Sequence, residues 1–251
     1  MSATAPTPVA PQFDAGIAPG RRIGLVVLSS DQVGEAAFRG IVEAAGAHCF
    51  STRVLYRYSE SREDEEDREL AEAVGQILPE AGIDVLAYSC TSRSAQKGEQ
   101  AMIDLLAGAR PSTPATTPLT AAQAALTRLG ARRIAVVSPY KRSVHETVVR
   151  AASAGGREVV RSSCFDLGLG TDFARLQPEI IAQAAIAAAG DDTDAVFISC
   201  TGIRATAGVE QIEAATGRPV VTSSQALAWH ALQLIGMPDA PGPGRLFARN
   251  R

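Results

Sequence analysis

The sequence has no C-x-x-C pair, and its four cysteines, Cys49, Cys90, Cys164 and Cys200, are scattered. With only three histidines beside them, that spacing builds neither a disulfide framework nor a structural zinc site. No apolar run approaches the roughly 20 residues a membrane helix needs, so no membrane partner is expected. No basic stripe is present: 24 lysines and arginines face 27 acidic residues, a formal charge of −3. That removes the usual electrostatic footprint of nucleic-acid binding. The Ala/Pro-rich residues 1–20 lack the basic-then-apolar order of a signal peptide. They read as a disordered tail, with a reduced, cytoplasmic setting expected for the rest. Aromatics are few, at 5%, but 46% of the 251 residues are hydrophobic and 20% charged. This is globular composition, enough for one large domain or two small ones.

Strands and helices alternate along the chain. Arg22–Leu28 is a near-continuous apolar run, the mark of a strand buried on both faces of a parallel sheet. A weaker strand over Cys49–Tyr56 follows, then an acidic-fronted helix over Ser61–Leu78, whose Glu63–Asp67 tract suits a helix N-terminus. A strand at Ile83–Tyr88, a helix over Ala95–Leu106, a Pro/Thr-rich turn at Pro111–Pro118 and a helix over Ala121–Leu129 ending at Gly130 come next. Beyond it, strands are expected at Arg133–Val137, Glu158–Ser162, Ala195–Ser199 and Pro219–Val221. Helices are expected at Val144–Ala152, Pro178–Ala189, Ala205–Ala215 and Gln225–Ile235. The alternation predicts an α/β fold with mostly parallel sheets and helices on both faces.

The pattern restarts midway. Arg22–Val27 matches Arg133–Ser138 at an offset of 111 residues, and Glu35 matches Glu146 at the same offset. Ile83–Thr91 matches Thr193–Thr201 at 110. The chain therefore reads as two copies of one unit, residues 21–130 and 131–251, forming two pseudosymmetric doubly wound lobes with a cleft between them. In each copy a strand ends in Ser-Cys-Thr. Ligands of open parallel sheets sit beyond the carboxyl ends of strands. A cysteine there meets helix N-terminal N–H groups, which are expected to lower its pKa and favour thiolate. The neighbouring Ser89, Thr91, Ser199 and Thr201 can donate to a carboxylate. Facing each other across the cleft, Cys90 and Cys200 could pass a proton from one face of a carbon to the other, or one could add to a double bond. Cys49 and Cys164 lie outside this repeat and read as small buried residues.

The segments AYSCTS and FISCTG, GRPVVTSSQALAWHAL and the terminal GPGRLF resemble the Asp/Glu racemase superfamily. They are most similar to its maleate cis-trans isomerase and arylmalonate decarboxylase branch, over roughly residues 21–247. LSSDQVGE and ILPEAGIDVLAYSCTS resemble the ectoine-utilization members. The resemblance implies a cofactor-independent enzyme acting on a small carboxylate, a homodimer or homotetramer, with one catalytic cysteine from each lobe. In maleate isomerases the counterpart of Cys90 is the nucleophile and that of Cys200 the acid/base. Tyr140 in SPYKRSVHE matches a carboxylate ligand. Ser30, Asp31, Thr91, Tyr140, Thr201 and Ser223 are the expected binding set. Arylmalonate decarboxylases have glycine at the position of Cys90, so the paired cysteines point to an isomerase or racemase.

Two departures bear on the substrate. Maleate isomerases read Ser-Ser-Asn-Thr where this chain reads Ser29-Ser30-Asp31-Gln32, and they carry an asparagine near Gly170-Thr171 that is absent here. An asparagine amide donates to a carboxylate; an ionised aspartate does not. Asp31 therefore favours a substrate with an amine, unless it is turned away, protonated or a helix cap. The alternatives are a racemase of an amino acid or acylated diamino acid in ectoine breakdown, an arylmalonate-type decarboxylase working through Cys200 alone, and a carboxylate-binding protein without turnover. Arg204, one turn after Cys200, is either a carboxylate contact or a solvated side chain. His145, His230 and Trp229 read as structural.

Overall fold

A computed structural model describes residues 6–55, 62–168 and 170–248. The first five residues of the expected tail, Tyr56, Ser61 and residues 249–251 lie outside the described residues. Residues 6–20 form no helix or strand. Among the described residues no helix is long and apolar enough to cross a membrane.

Two four-stranded parallel sheets carry the fold. The first contains β1 (Arg22–Leu28), β2 (His48–Val54), β3 (Val85–Ser89) and β4 (Ala115–Thr116), in the order β2-β1-β3-β4. The second contains β5 (Arg133–Tyr140), β6 (Glu158–Leu167), β7 (Ala195–Ile198) and β8 (Val220–Thr222), in the identical order β6-β5-β7-β8. The central strands β1, β3, β5 and β7 are buried almost throughout, which is why they are continuous apolar runs. The repeat extends to single side chains. Asp84 and Asp194 occupy matching places ahead of β3 and β7. The Asp84 carboxylate accepts the Arg22 N–H at 2.7 Å, and that of Asp194 accepts the Arg133 N–H at 2.8 Å. Each aspartate thereby ties the entry of its strand to that of the neighbouring strand.

The helices are α1 (Gly34–Ala44), α2 (Glu63–Gly75), α3 (Thr91–Lys97), α4 (Glu99–Ala109) and α5 (Pro118–Arg128) in the first repeat. The second has α6 (Arg142–Ala152), α7 (Gly170–Arg175), α8 (Pro178–Ala188), α9 (Val209–Thr216) and α10 (Ser223–Leu234). The helix expected at Ala95–Leu106 is two helices. Gly98, at φ 89°, breaks it, a conformation that is cheap only for glycine. The first piece starts directly after Cys90. The strand expected to end at Ser162 runs on to Leu167, and α7 arises where no periodic signal is present.

The last helix of each repeat packs on the other lobe. Leu227, Ala228, Ala231 and Leu232 of α10 share a core with Ile23, Leu25 and Val27 of β1. Ala121, Ala122, Ala125 and Leu126 of α5 share one with Ile134, Val136 and Phe197 of the second sheet. α10 starts at Ser223, two residues before the expected Gln225, because Thr222 and Gln225 form a capping box. The exchange fixes the two sheets against each other, with their strand ends facing one cleft.

Candidate active site

In each sheet the chain leaves the central strand toward one edge and returns on its other side. The carboxyl ends of β1 and β3, and of β5 and β7, are therefore the topological switch points. The loops leaving them line one cavity of about 560 Å³. Ser30 and Asp31 follow β1, Cys90 and Thr91 follow β3, Tyr140 ends β5, and Cys200 and Thr201 follow β7; all line the cavity. Its remaining wall is partly apolar, with Leu28, Val144, Leu167 and Phe173. The Phe173 ring meets Tyr140 edge-on at 5.8 Å.

Ser223 does not line the cavity. It is fully buried as the first residue of α10, and its Oγ accepts hydrogen bonds from the Thr91 hydroxyl at 2.9 Å and from the Cys200 N–H at 3.0 Å. The hydroxyls of Thr91 and Thr201 are likewise engaged between the lobes: Thr201 Oγ1 donates to the Ser89 carbonyl at 3.1 Å. All three residues belong to the expected binding set, and their hydroxyls join the two strand ends. Arg204 also turns away. Its guanidinium donates to the Leu176 carbonyl at 2.7 Å. His145 is buried against Ser138, and His230 bonds Thr116.

The two cysteines are not equivalent. Cys90 has ordinary extended backbone and stands immediately before α3. Its Sγ lies 3.6 Å from Ser92 Oγ and accepts from the Arg93 N–H and the Tyr88 hydroxyl. Cys200 has φ +123°, a conformation that costs an L-residue on the order of 1–3 kcal/mol and persists only where the surroundings impose it. Its Sγ accepts the Gly202 N–H at 3.3 Å and the Tyr140 hydroxyl.

The expectation of lowered thiol pKa values is overturned. Burial pushes the Cys90 thiol up, against the hydrogen bonds from Arg93, Ser92 and Tyr88. Burial pushes Cys200 up to about 12, Tyr140 and Gly202 oppose it, and Cys90 and Asp31 add to it. Desolvation of these buried thiolates outweighs the few N–H groups of a short helix. Both thiols are neutral near pH 7 in the unliganded protein.

Burial also raises the Cys49 thiol to about 12. Up to about pH 9 both folded and unfolded chains keep these protons; above it the unfolded chain loses them first and is favoured. Stability is thus fully present below pH 9 and falls as the pH rises toward 12. The loss is on the order of a few kcal/mol per thiol. Urea midpoints across this range should fall less steeply for Cys49→Ala than for the parent; parallel curves would sink the assignment.

Asp31 is both a cavity residue and a helix cap. Its Oδ1 accepts the Gly34 N–H and its Oδ2 the Glu35 N–H, each at 2.9 Å, at the start of α1. Gly34 allows a close approach at this point. A Cβ there would lie 3.0 Å from Asp31 Oδ1, 3.1 Å from the Thr201 carbonyl and 3.2 Å from Ser89 Oγ. Sequence reasoning missed Ser92, Lys141, Phe173 and Gly202 as cavity residues. Ser92 and Gly202 were within reach of it, since each stands two residues after its cysteine at the repeat offset of 110. Phe173 carries no such signal.

A family model described as arylmalonate decarboxylase matches residues 60–247. The arylmalonate decarboxylase of Bordetella bronchiseptica is 33% identical over 178 residues, 68% of this chain and 73% of that protein. The maleate isomerase of Nocardia farcinica is 27% identical over 243 residues, 92% of this chain and 96% of that one. A solved structure of a cysteine-to-serine variant of the Nocardia farcinica maleate cis-trans isomerase, with a covalently bound succinylcysteine intermediate, superposes with a TM-score of 0.82. It covers 90% of this chain and 98% of that one at 24% identity, a likeness of fold.

Proposed function

The chain belongs to the arylmalonate decarboxylase family, and on that premise we propose that it is a cofactor-independent isomerase of a small carboxylate working through Cys90 and Cys200. One observation carries the reading: the two cysteines end matching strands of the two sheets and line one cavity. A decarboxylase of the kind with glycine at position 90 has no use for the first of them.

For an activated alkene the steps balance as follows. Cys90 Sγ bonds to one alkene carbon, and the π pair moves to the other carbon. That carbon takes the proton of the Cys200 thiol, and the Cys90 proton replaces it on Cys200. Rotation about the new single bond follows. Cys200 then passes the proton it holds to the departing Cys90 sulfur as the C–S bond breaks and takes a proton from the adjacent carbon, and the trans alkene leaves with both thiols restored. The succinylcysteine of the Nocardia farcinica enzyme supports such an adduct. Tyr140, on Cys200 Sγ, holds that sulfur toward the cavity.

Asp31 supports a second reading, 1,1-proton transfer at the α-carbon of an amino acid or acylated diamino acid. Its carboxylate lines the cavity and has no ion-pair partner among the described residues. An ammonium there is attracted; the second carboxylate of a dianion is repelled. Asp31→Asn keeps one capping oxygen and should cost about 1 kcal/mol of stability or less. In a racemase it should lower turnover of the amino substrate about tenfold or more, and in a maleate isomerase raise turnover of the dianion. Steady-state rates on both substrates decide between them.

Proton NMR in D₂O tests the function directly, with maleate, aspartate, glutamate, an arylmalonate and N-acetyl-diaminobutyrate as substrates. Maleate-to-fumarate conversion that depends on both cysteines is the expected result. Cysteine-dependent deuteration at Cα without a new alkene would transfer the reading to the racemase. Binding without turnover across the panel would overturn the enzyme.

A further inference from the structure

The strained backbone of Cys200 has a specific restraint. Its N–H donates to Ser223 Oγ at 3.0 Å, and the same oxygen accepts the Thr91 hydroxyl at 2.9 Å. Thr91 directly follows Cys90, and Ser223 opens α10, the helix that packs on the first lobe. A single oxygen, 132 residues from Thr91 in sequence, therefore joins the residue after one cysteine to the amide of the other. All three groups are buried. A second bond runs the opposite way, from the Thr201 hydroxyl to the Ser89 carbonyl, so each cysteine loop is tied to the other lobe. Among the described residues no such bond restrains the Cys90 amide, and its φ is unstrained at −146°.

We infer that Ser223 and Thr91 are positioning residues that hold the Cys200 backbone in its left-handed conformation and so set the direction of its sulfur. With φ at +123°, Sγ meets the Gly202 N–H and the Tyr140 hydroxyl. Without the Ser223 oxygen, the Cys200 amide is buried without an acceptor and the residue turns toward ordinary extended backbone. The sulfur then leaves both donors that stabilise its thiolate. The inference rests on the proposed role of Cys200, but its test needs no substrate.

The experiment is iodoacetamide alkylation of the full chain, resolved cysteine by cysteine by mass spectrometry, from about pH 8 to pH 10, where the rate follows the thiolate fraction. Half-buried Cys164, in β6, serves as the internal reference. Ser223→Ala and Thr91→Val should each slow Cys200 alkylation about fivefold or more at every pH, with Cys164 unchanged. Thr91→Ser, which keeps the hydroxyl, should restore the parent rate, and the double variant should be no slower than Ser223→Ala. An unchanged Cys200 rate in either single variant, a faster one, or a parallel change at Cys164 overturns the inference. Loss of isomerase activity is not the readout, so absence of the proposed activity and absence of the restraint give different results.

Discussion

Cys200→Ser and Cys90→Ser are each expected to lower turnover by about a thousandfold or more, at little cost in stability, because serine fits both buried sites. The reason differs for the two. In the proposed mechanism Cys90 forms the bond to carbon, and a neutral serine hydroxyl in the same buried position is far less nucleophilic. In the same proposal Cys200 delivers the proton, and its raised thiol pKa suits an acid that keeps its proton until the adduct forms. Cys90→Ala separates the proposed isomerase from a decarboxylase. Chemistry through Cys200 alone would survive that change, whereas chemistry through both thiols is lost. Rates on the same NMR panel check both statements, with melting curves to show that the variants are folded.

Arg93→Ala is expected to lose about 3–5 kcal/mol of stability, since removing one partner strands a buried charge. Arg93 is only 7% exposed; its Nη1 lies 2.8 Å from Glu66 Oε2 and its Nη2 2.8 Å from Asp67 Oδ1. Glu66 is 4% exposed and cannot regain water without opening the contact between α2 and α3. One turn on, Lys97 Nζ bridges Asp67 at 2.7 Å and Glu63 at 2.9 Å. This network fastens α3, and with it Cys90, to α2, so catalysis should weaken well below the melting temperature. An Arg93→Met, Glu66→Met double variant should recover most of the loss, because apolar pairs of similar volume replace buried ion pairs without penalty. Urea denaturation measures both. A loss under about 1 kcal/mol for Arg93→Ala would mean that the charges are not sequestered.

The same network shows what the sequence could and could not reveal. The Glu63–Asp67 tract reads as a helix start, and its first-turn position is as expected. Nothing local told that Glu66 is buried against Arg93, because Arg93 reaches it from a different helix. The sheets were legible for the opposite reason. Strands buried on both faces must be continuous apolar runs, and β1, β3, β5 and β7 announce themselves within their own residues. The helix boundaries were less so: α3 and α4 read as one helix because the apolar spacing crosses Gly98, and only the backbone shows the break.

The sequence by itself determined the alternation of strands and helices, their repetition at an offset of 110–111, and the place of each cysteine at a strand end. These follow from periodicity and spacing, which are local. Only the tertiary structure decided that the hydroxyls of Thr91, Thr201 and Ser223 bond across the lobes, that α5 and α10 exchange partners, and that Cys200 is strained. It also reversed the expected direction of both thiol pKa values. A hydroxyl's partner 112 or 132 residues away, and the burial that neutralises a thiol, depend on the whole chain around the group. No window of neighbouring residues contains them.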